Sequence, residues 1–81
     1  MADREKKILI IDDEPNMCWA LDRLLKGAGF SVFKALTAHG ALSSIATERF
    51  RCVLLDAKLP DMEGLDLARC IHKVDPTVRI V

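Results

Sequence analysis

The apolar residues of this chain form short runs that alternate with segments of helical spacing. The run at 7–11, "KILII", is nearly unbroken, as in a strand buried on both faces. Further strands are predicted over 30–35, 51–56 and 77–81. The resulting order, β-α-β-α-β-α-β, predicts a doubly wound α/β fold: a parallel sheet with right-handed crossovers and helices on both faces.

The three predicted helices have recognisable ends and inner faces. Pro15 suits the first position of helix one, and Gly29 is expected to stop that helix. Its inner face is predicted to be Met17, Leu21, Leu24, Leu25 and Ala28, and its outer face to carry Trp19, Asp22, Arg23 and Lys26. Thr37 is predicted to cap helix two. The inner faces of helices two and three are predicted to be Ala38, Ala41, Leu42 and Ile45, and Leu67, Ala68, Ile71 and Val74.

Length and composition indicate one small domain. The 81 residues carry 12 basic and 12 acidic side chains, a balance that indicates neither nucleic-acid nor membrane-surface binding. No apolar run approaches the roughly 20 residues of a membrane span, and no segment of signal-peptide type precedes Ile8. The three cysteines, an odd number without a close pair, are interpreted as reduced thiols in the cytoplasm.

Carboxylates follow two of the predicted strands directly. Asp12 and Asp13 come after strand one, and Asp56 comes after strand three. In doubly wound sheets, ligands bind beyond the carboxyl ends of the strands, where the strand order reverses. If strands one and three are neighbours, the three carboxylates converge, and such a cluster raises its own pKa values or holds a cation. Carboxylate oxygens, a backbone carbonyl and waters suit Mg²⁺, which is therefore the predicted cofactor.

A structural interpretation of the same residues needs no metal. The "DDEP" segment at 12–15 could serve only as a helix N-terminus with a favourable charge–dipole arrangement. Asp56 could be an ordinary strand-end aspartate before a turn. The matching positions of the two acidic segments favour the metal site.

Two segments carry a family resemblance. "ILIIDDEP" at 8–15 and "VLLDAKLPDMEGLDL" at 53–67 resemble the receiver domain of two-component response regulators. Helix one, "MCWALDRLLKGAGF" at 17–30, looks most like receivers of NtrC-like regulators, which control sigma-54-dependent transcription. The resemblance covers 6–81 and implies a flavodoxin-like fold.

The resemblance implies a role for several acidic residues. Asp56 matches the phosphoacceptor, which would take a phosphoryl group from a sensor histidine kinase. Asp13 matches the direct Mg²⁺ ligand, Asp12 the acid that holds the ion mainly through water, and Lys58 the residue whose backbone carbonyl is a ligand. The expected protein is a signalling phosphoacceptor that regulates transcription through an output domain, with no enzymatic role beyond its own phosphorylation and slow dephosphorylation.

Other residues are assigned by the same resemblance. Pro60 and Gly64 match the loop that shapes the site. Trp19 is expected to be partly exposed, on the side where receivers of this family dock with a kinase. Family members continue with a hydroxyl residue at the end of strand four and a lysine at the end of strand five, so 1–81 is expected to be an incomplete single receiver domain. Its strand four would be an open edge, and we hypothesise self-association there.

Two other function classes compete with the phosphoacceptor. One is a receiver-like interaction module that does not accept phosphate. The other is a Mg²⁺-dependent phosphohydrolase with an aspartate nucleophile, but many of those carry Asp-x-Asp after strand one. Here the sequence is Asp-Asp-Glu, which disfavours that class.

Overall fold

In the part of the chain that the structure describes, four strands and three helices follow one another in the predicted alternation. The computed structural model of the chain describes residues 6–55 and 59–81, with the exception of the side chains of residues 15–18. The elements are β1 (Lys7–Ile11), α1 (Pro15–Gly27), β2 (Ser31–Ala35), α2 (Ala38–Thr47), β3 (Cys52–Leu55), α3 (Gly64–Val74) and β4 (Arg79–Ile80). Predicted and observed bounds differ by two residues at most within the described ranges.

All strand pairs are parallel, and the order across the sheet is β2-β1-β3-β4. The first crossover places β2 on one side of β1, and the chain later returns to place β3 on the other side. The strand order therefore reverses at β1. The predicted doubly wound, flavodoxin-like sheet is confirmed, and so is the expectation that strands one and three are neighbours.

The core lies on both faces of the sheet, because successive side chains of a strand point to opposite faces. Leu9 and Ile11 of β1 belong to the larger cluster, which the buried faces of α2 and α3 complete. Ile8 and Ile10 belong to a smaller cluster, against which Leu21 and Leu25 of α1 pack. The prediction that β1 is buried on both faces is confirmed.

The ends of α1 follow their sequence signals. Pro15 begins the helix, and Gly29 has a positive φ of 95° just beyond its end. The N–H of Phe30 donates to the carbonyl oxygen of Leu25 at 3.1 Å, and that of Gly29 donates to Lys26 at 3.0 Å. This pair of bonds is a Schellman motif, in which glycine adopts the left-handed conformation without a Cβ clash.

Some predicted helix faces were wrong at their margins. Leu24 is 70% exposed, Val74 is 54% exposed, and Ala28 is exposed where α1 ends. Asp22, predicted on the outer face, is only 7% exposed. It is buried because Lys26 Nζ lies 3.2 Å from its Oδ1 and Lys34 Nζ lies 3.3 Å from its Oδ2.

The remaining inner-face predictions hold for the described side chains. Leu67 and Ile71 are fully buried on α3, and Ala38, Ala41 and Ile45 are buried on α2. The side chain of Met17, predicted for the inner face of α1, lies outside the described residues.

Candidate functional site

The acidic pair lies where the strand order reverses. Asp12 follows the last residue of β1, and its N–H donates to the carbonyl oxygen of Ala35 at the end of β2, at 3.1 Å. Its Oδ1 accepts a hydrogen bond of 2.9 Å from the N–H of Glu14, just before α1 begins. Asp12 is partly buried, and Asp13, the next residue, is exposed. The strand end thus presents two carboxylates at the position expected of a ligand site.

The register of β1 and β3 brings the two acidic segments of the sequence together. Ile11 pairs with Leu55, so the residues immediately before Asp12 and Asp56 are direct partners across the sheet. Neighbouring strands are about 4.8 Å apart, and consecutive Cα atoms about 3.8 Å. Asp56 and Lys58 themselves lie outside the described residues. Within 6–55 and 59–81, no three His, Cys, Asp or Glu residues are grouped closely enough to hold a metal ion.

The loop that leads into α3 is packed on the core. Leu59 and Met62 contact the larger cluster, whereas Pro60 is exposed. Gly64 is buried as the first residue of α3. Apolar contacts of Leu59, before Pro60, and of Met62, between Pro60 and Gly64, therefore hold this loop against the core.

The same loop is attached to α2 by Asp61, a contact that the sequence reasoning missed. Asp61 Oδ1 accepts a hydrogen bond from the N–H of Ala38 at 2.8 Å, and Oδ2 accepts one from the N–H of His39 at 3.0 Å. These N–H groups, first that of Ala38 and then that of His39, hold the pKa of Asp61 below its usual value. The partners are more than 20 residues apart in sequence, so no local motif signals the contact.

Thr37 completes the N-terminus of α2 as predicted. Its Oγ1 accepts a hydrogen bond of 3.0 Å from the N–H of Gly40. Three consecutive N–H groups in the first turn of α2 therefore have acceptors, one from a local cap and two from the loop after β3.

Asp22 has a structural role away from the strand ends. Burial raises the pKa of this carboxyl group, but the ammonium groups of Lys26 and Lys34 outweigh burial and lower it overall. Because Lys34 belongs to β2, the ion pair links α1 to the edge of the sheet.

An open groove of about 290 Å³ lies beside Asp12. Its other lining residues are apolar and come from β1, α1, β3 and the end of the chain: Ile10, Ile11, Leu21, Leu54, Leu55 and Val81. Val81 is 76% exposed. The groove places an apolar surface next to the acidic strand end.

Trp19 is 57% exposed, as predicted. The guanidinium carbon of Arg23, one turn further along α1, lies 5.0 Å from the centroid of its ring, in cation–π contact. The indole is thus supported on the surface of α1.

No helix in the described part of the chain is long and apolar enough to cross a membrane.

The fold and the acidic strand end define a doubly wound α/β protein with a candidate ligand site at the reversal of strand order. The sequence profile of the response regulator receiver domain matches residues 8–81. The chain therefore belongs to the receiver domain family.

Known members of the family are similar along most of this chain. The transcriptional regulatory protein ZraR of Salmonella typhimurium is 32% identical over 74 residues, which are 91% of this chain and 17% of ZraR. A CheY-like receiver domain protein from Methanospirillum hungatei superposes with a TM-score of 0.90 and 39% identity, over 93% of this chain and 60% of that one. The chain thus spans less than two thirds of either protein.

Three further similar structures, of two different response regulators, contain ligands or a partner. A response regulator from Burkholderia pseudomallei with a phosphorylated aspartic acid, a calcium ion and citrate has a TM-score of 0.87 and 31% identity, over 93% of this chain and 44% of that one. TrrA of Thermotoga maritima is seen with Mg²⁺ and BeF and, separately, in complex with the histidine kinase ThkA. In both cases the TM-score is 0.86 and the identity 32%, over 93% of this chain and 65% of TrrA.

Proposed function

We propose that this chain is a phosphoacceptor signalling domain in which Asp56 takes a phosphoryl group from a histidine kinase. The observation that carries the proposal is the pairing of Ile11 with Leu55, which joins the ends of β1 and β3. Membership of the receiver family and the phosphorylated aspartic acid of the Burkholderia structure support it.

The donor set suits a divalent cation. Asp12 and Asp13 supply hard oxygen ligands at one strand end, and Asp56 follows the paired strand. We propose that Asp13 and Asp56 hold Mg²⁺ directly, with the carbonyl group of Lys58, and that Asp12 holds it mainly through water. When bound, the ion neutralises phosphoryl oxygens that the carboxylates would otherwise repel. The Mg²⁺ of the TrrA complex and the Ca²⁺ of the Burkholderia structure support a divalent cation.

The proposed reaction is an in-line displacement. A carboxylate oxygen of Asp56 forms a bond to the phosphorus of a phosphohistidine, and the P–N bond breaks as the imidazole of the kinase departs and takes up a proton. Water later hydrolyses the aspartyl phosphate, which regenerates Asp56 and releases inorganic phosphate. The added charge of the phosphorylated form shifts a conformational equilibrium in the signalling protein.

Treatment with Mg²⁺ and acetyl phosphate tests the proposal. Intact-mass spectrometry should detect one added phosphoryl group that hydroxylamine removes and that Asp56→Asn lacks. Asp66→Asn is the matched control, since Asp66 is an exposed aspartate on α3 and its loss should change nothing. Turnover of a phosphoester would indicate the hydrolase instead, and absence of any modification would indicate an interaction module.

Two observations support a histidine kinase as the partner: the TrrA complex with its kinase, and an exposed aromatic residue on α1. We propose that Trp19 faces the kinase, because it is exposed and held in place by Arg23. Trp19→Ala should weaken kinase binding in a calorimetric titration, whereas Arg69→Ala on α3 should leave it intact. Equal affinity of both variants for the kinase would remove Trp19 from the interface.

Self-association at β4 is a separate proposal. β4 is the edge strand of the described sheet, and an exposed edge can pair with a second chain. We expect the mass from light scattering to rise with concentration; a constant monomer mass would contradict this.

We further propose that residues 1–81 are one portion of a cytoplasmic receiver domain that regulates transcription through an output domain, as in NtrC-like regulators.

A further inference from the structure

We infer that Asp61 is a positioning residue for phosphoryl transfer, because its carboxylate ties the loop that follows β3 to the first turn of α2. This inference rests on the proposed function of Asp56. Asp61 would act by holding the loop in position, and it would not itself contact the phosphoryl group.

The loop is fixed on both sides of residues 56–60. On one side, Leu55 pairs with Ile11, and its N–H donates to the carbonyl oxygen of Val81 at 3.0 Å. On the other side, both oxygens of Asp61 are bound to α2 at 2.8 and 3.0 Å. Only five residues separate the two anchors, and they include Asp56 and Lys58.

The contact of Asp61 with α2 contributes more to holding the loop against the helix than to forming the helix. Thr37 already caps α2 locally, and His39 is exposed, so that water can satisfy its N–H group, whereas Ala38 is buried. A carboxylate from a distant loop is favoured there because two N–H donors and the positive end of the helix dipole meet it. What Asp61 adds to the local cap is therefore a fixed distance between the loop and α2.

Apolar packing alone would hold the loop less specifically. Leu59 and Met62 contact the core but are only partly buried, and apolar contacts are not directional. The two hydrogen bonds of Asp61 define both a position and an orientation. Loss of these bonds should widen the range of positions that the loop samples without unfolding α3.

The experiment compares Asp61→Ala with Thr37→Ala in the 81-residue chain. Both variants remove hydrogen bonds from the first turn of α2, but only the first releases the loop. The measurements are the dissociation constant for Mg²⁺ alone, the rate of phosphorylation by acetyl phosphate, and the shifts of the Ala38 and His39 amide resonances on Mg²⁺ addition. Asp61→Asn keeps one acceptor oxygen and replaces Asp61→Ala if circular dichroism shows that variant unfolded.

We expect Asp61→Ala to raise the Mg²⁺ dissociation constant and to lower the phosphorylation rate, each by about tenfold, as outer-shell substitutions commonly do. Mg²⁺ should shift the two amide resonances in the unmodified chain and in Thr37→Ala, but not in Asp61→Ala. Asp61→Asn should fall between the unmodified chain and Asp61→Ala.

Two results would overturn the inference. If Thr37→Ala impairs Mg²⁺ binding and phosphorylation as much as Asp61→Ala does, Asp61 acts only as a helix cap. If Asp61→Ala matches the unmodified chain, the loop needs no anchor. Failure of the proposed function is recognised separately, because the unmodified chain would then neither bind Mg²⁺ nor accept phosphate, and the role of Asp61 would fall with it.

Discussion

The contributions of Phe33 and Phe50 to the free energy of unfolding should be coupled. Phe50 is 1% exposed and meets Phe33 of β2 edge to face, with ring centroids 5.2 Å apart and planes at 82°. Such pairs contribute about 0.5–1.5 kcal/mol beyond their buried area. A domain of this length has a free energy of unfolding of roughly 4–12 kcal/mol, so the coupling is a measurable share of the total.

A double-mutant cycle of Phe33→Leu and Phe50→Leu isolates the coupling. Each single variant should lose about 1–2 kcal/mol, because leucine keeps much of the apolar volume. Lys7 Nζ lies 5.9 Å from the centroid of Phe33, but that contact is lost in both backgrounds and cancels in the cycle. Urea unfolding followed by circular dichroism gives the free energies of unfolding of the unmodified chain and of the three variants. The loss of stability in the double variant should differ from the sum of the losses in the two single variants.

Additivity within about 0.3 kcal/mol would refute the edge-to-face interpretation. The cycle also separates stability from function. Phe50 precedes β3, at the opposite end of that strand from Leu55. Each folded variant should therefore bind Mg²⁺ with the affinity of the unmodified chain, and an altered affinity would contradict the placement of the site.

Three further predictions concern the caps and the acidic residues. Thr37→Ala should lower the free energy of unfolding by about 1 kcal/mol and the melting temperature by about 4–8 °C, by calorimetry; an unchanged melting temperature would contradict the cap. Gly29→Ala should cost about 1–2 kcal/mol in urea unfolding, because φ is 95° there; equal stability would show that the turn relaxes. The folded pKa of Asp61 lies below its ordinary 3.8, so its contribution to stability is present above pH 3.8 and is lost as the pH falls through the folded pKa. Asp61→Asn should flatten the decline in stability below pH 3.8, and parallel curves for the two proteins would contradict the N–H contacts.

The strands and the position of the acidic pair at the end of β1 could be predicted from the sequence because their signals are local. An aliphatic run marks β1, and the two aspartates follow it directly. Asp61 gave no such signal, since its partners on α2 become neighbours only after the sheet has formed. The roles of Asp56 and Lys58 remain predictions.

The inner face of α1 shows how far periodicity reaches. With about 100° per residue, Asp22 and Leu24 lie about 80° to either side of the line through Leu21 and Leu25. Helical spacing alone gives no reason to bury one of these two residues rather than the other. The hydrophobicity of leucine led to the prediction that Leu24 is the buried one. The structure buries the Asp22 flank instead, because Lys34 of β2 neutralises the carboxylate from outside the helix.

The pairing of β1 with strands on both sides limits how the gene can change in length. Deletion of one codon within β3 would either break the Ile11–Leu55 pair or exchange the faces to which Val53 and Leu54 point. It would also move the codon of Asp56, the proposed phosphoacceptor, by one position relative to that of Asp12. Codon gain and loss should therefore be tolerated in the turn after α2, around Arg49, and be selected against between Cys52 and Asp61.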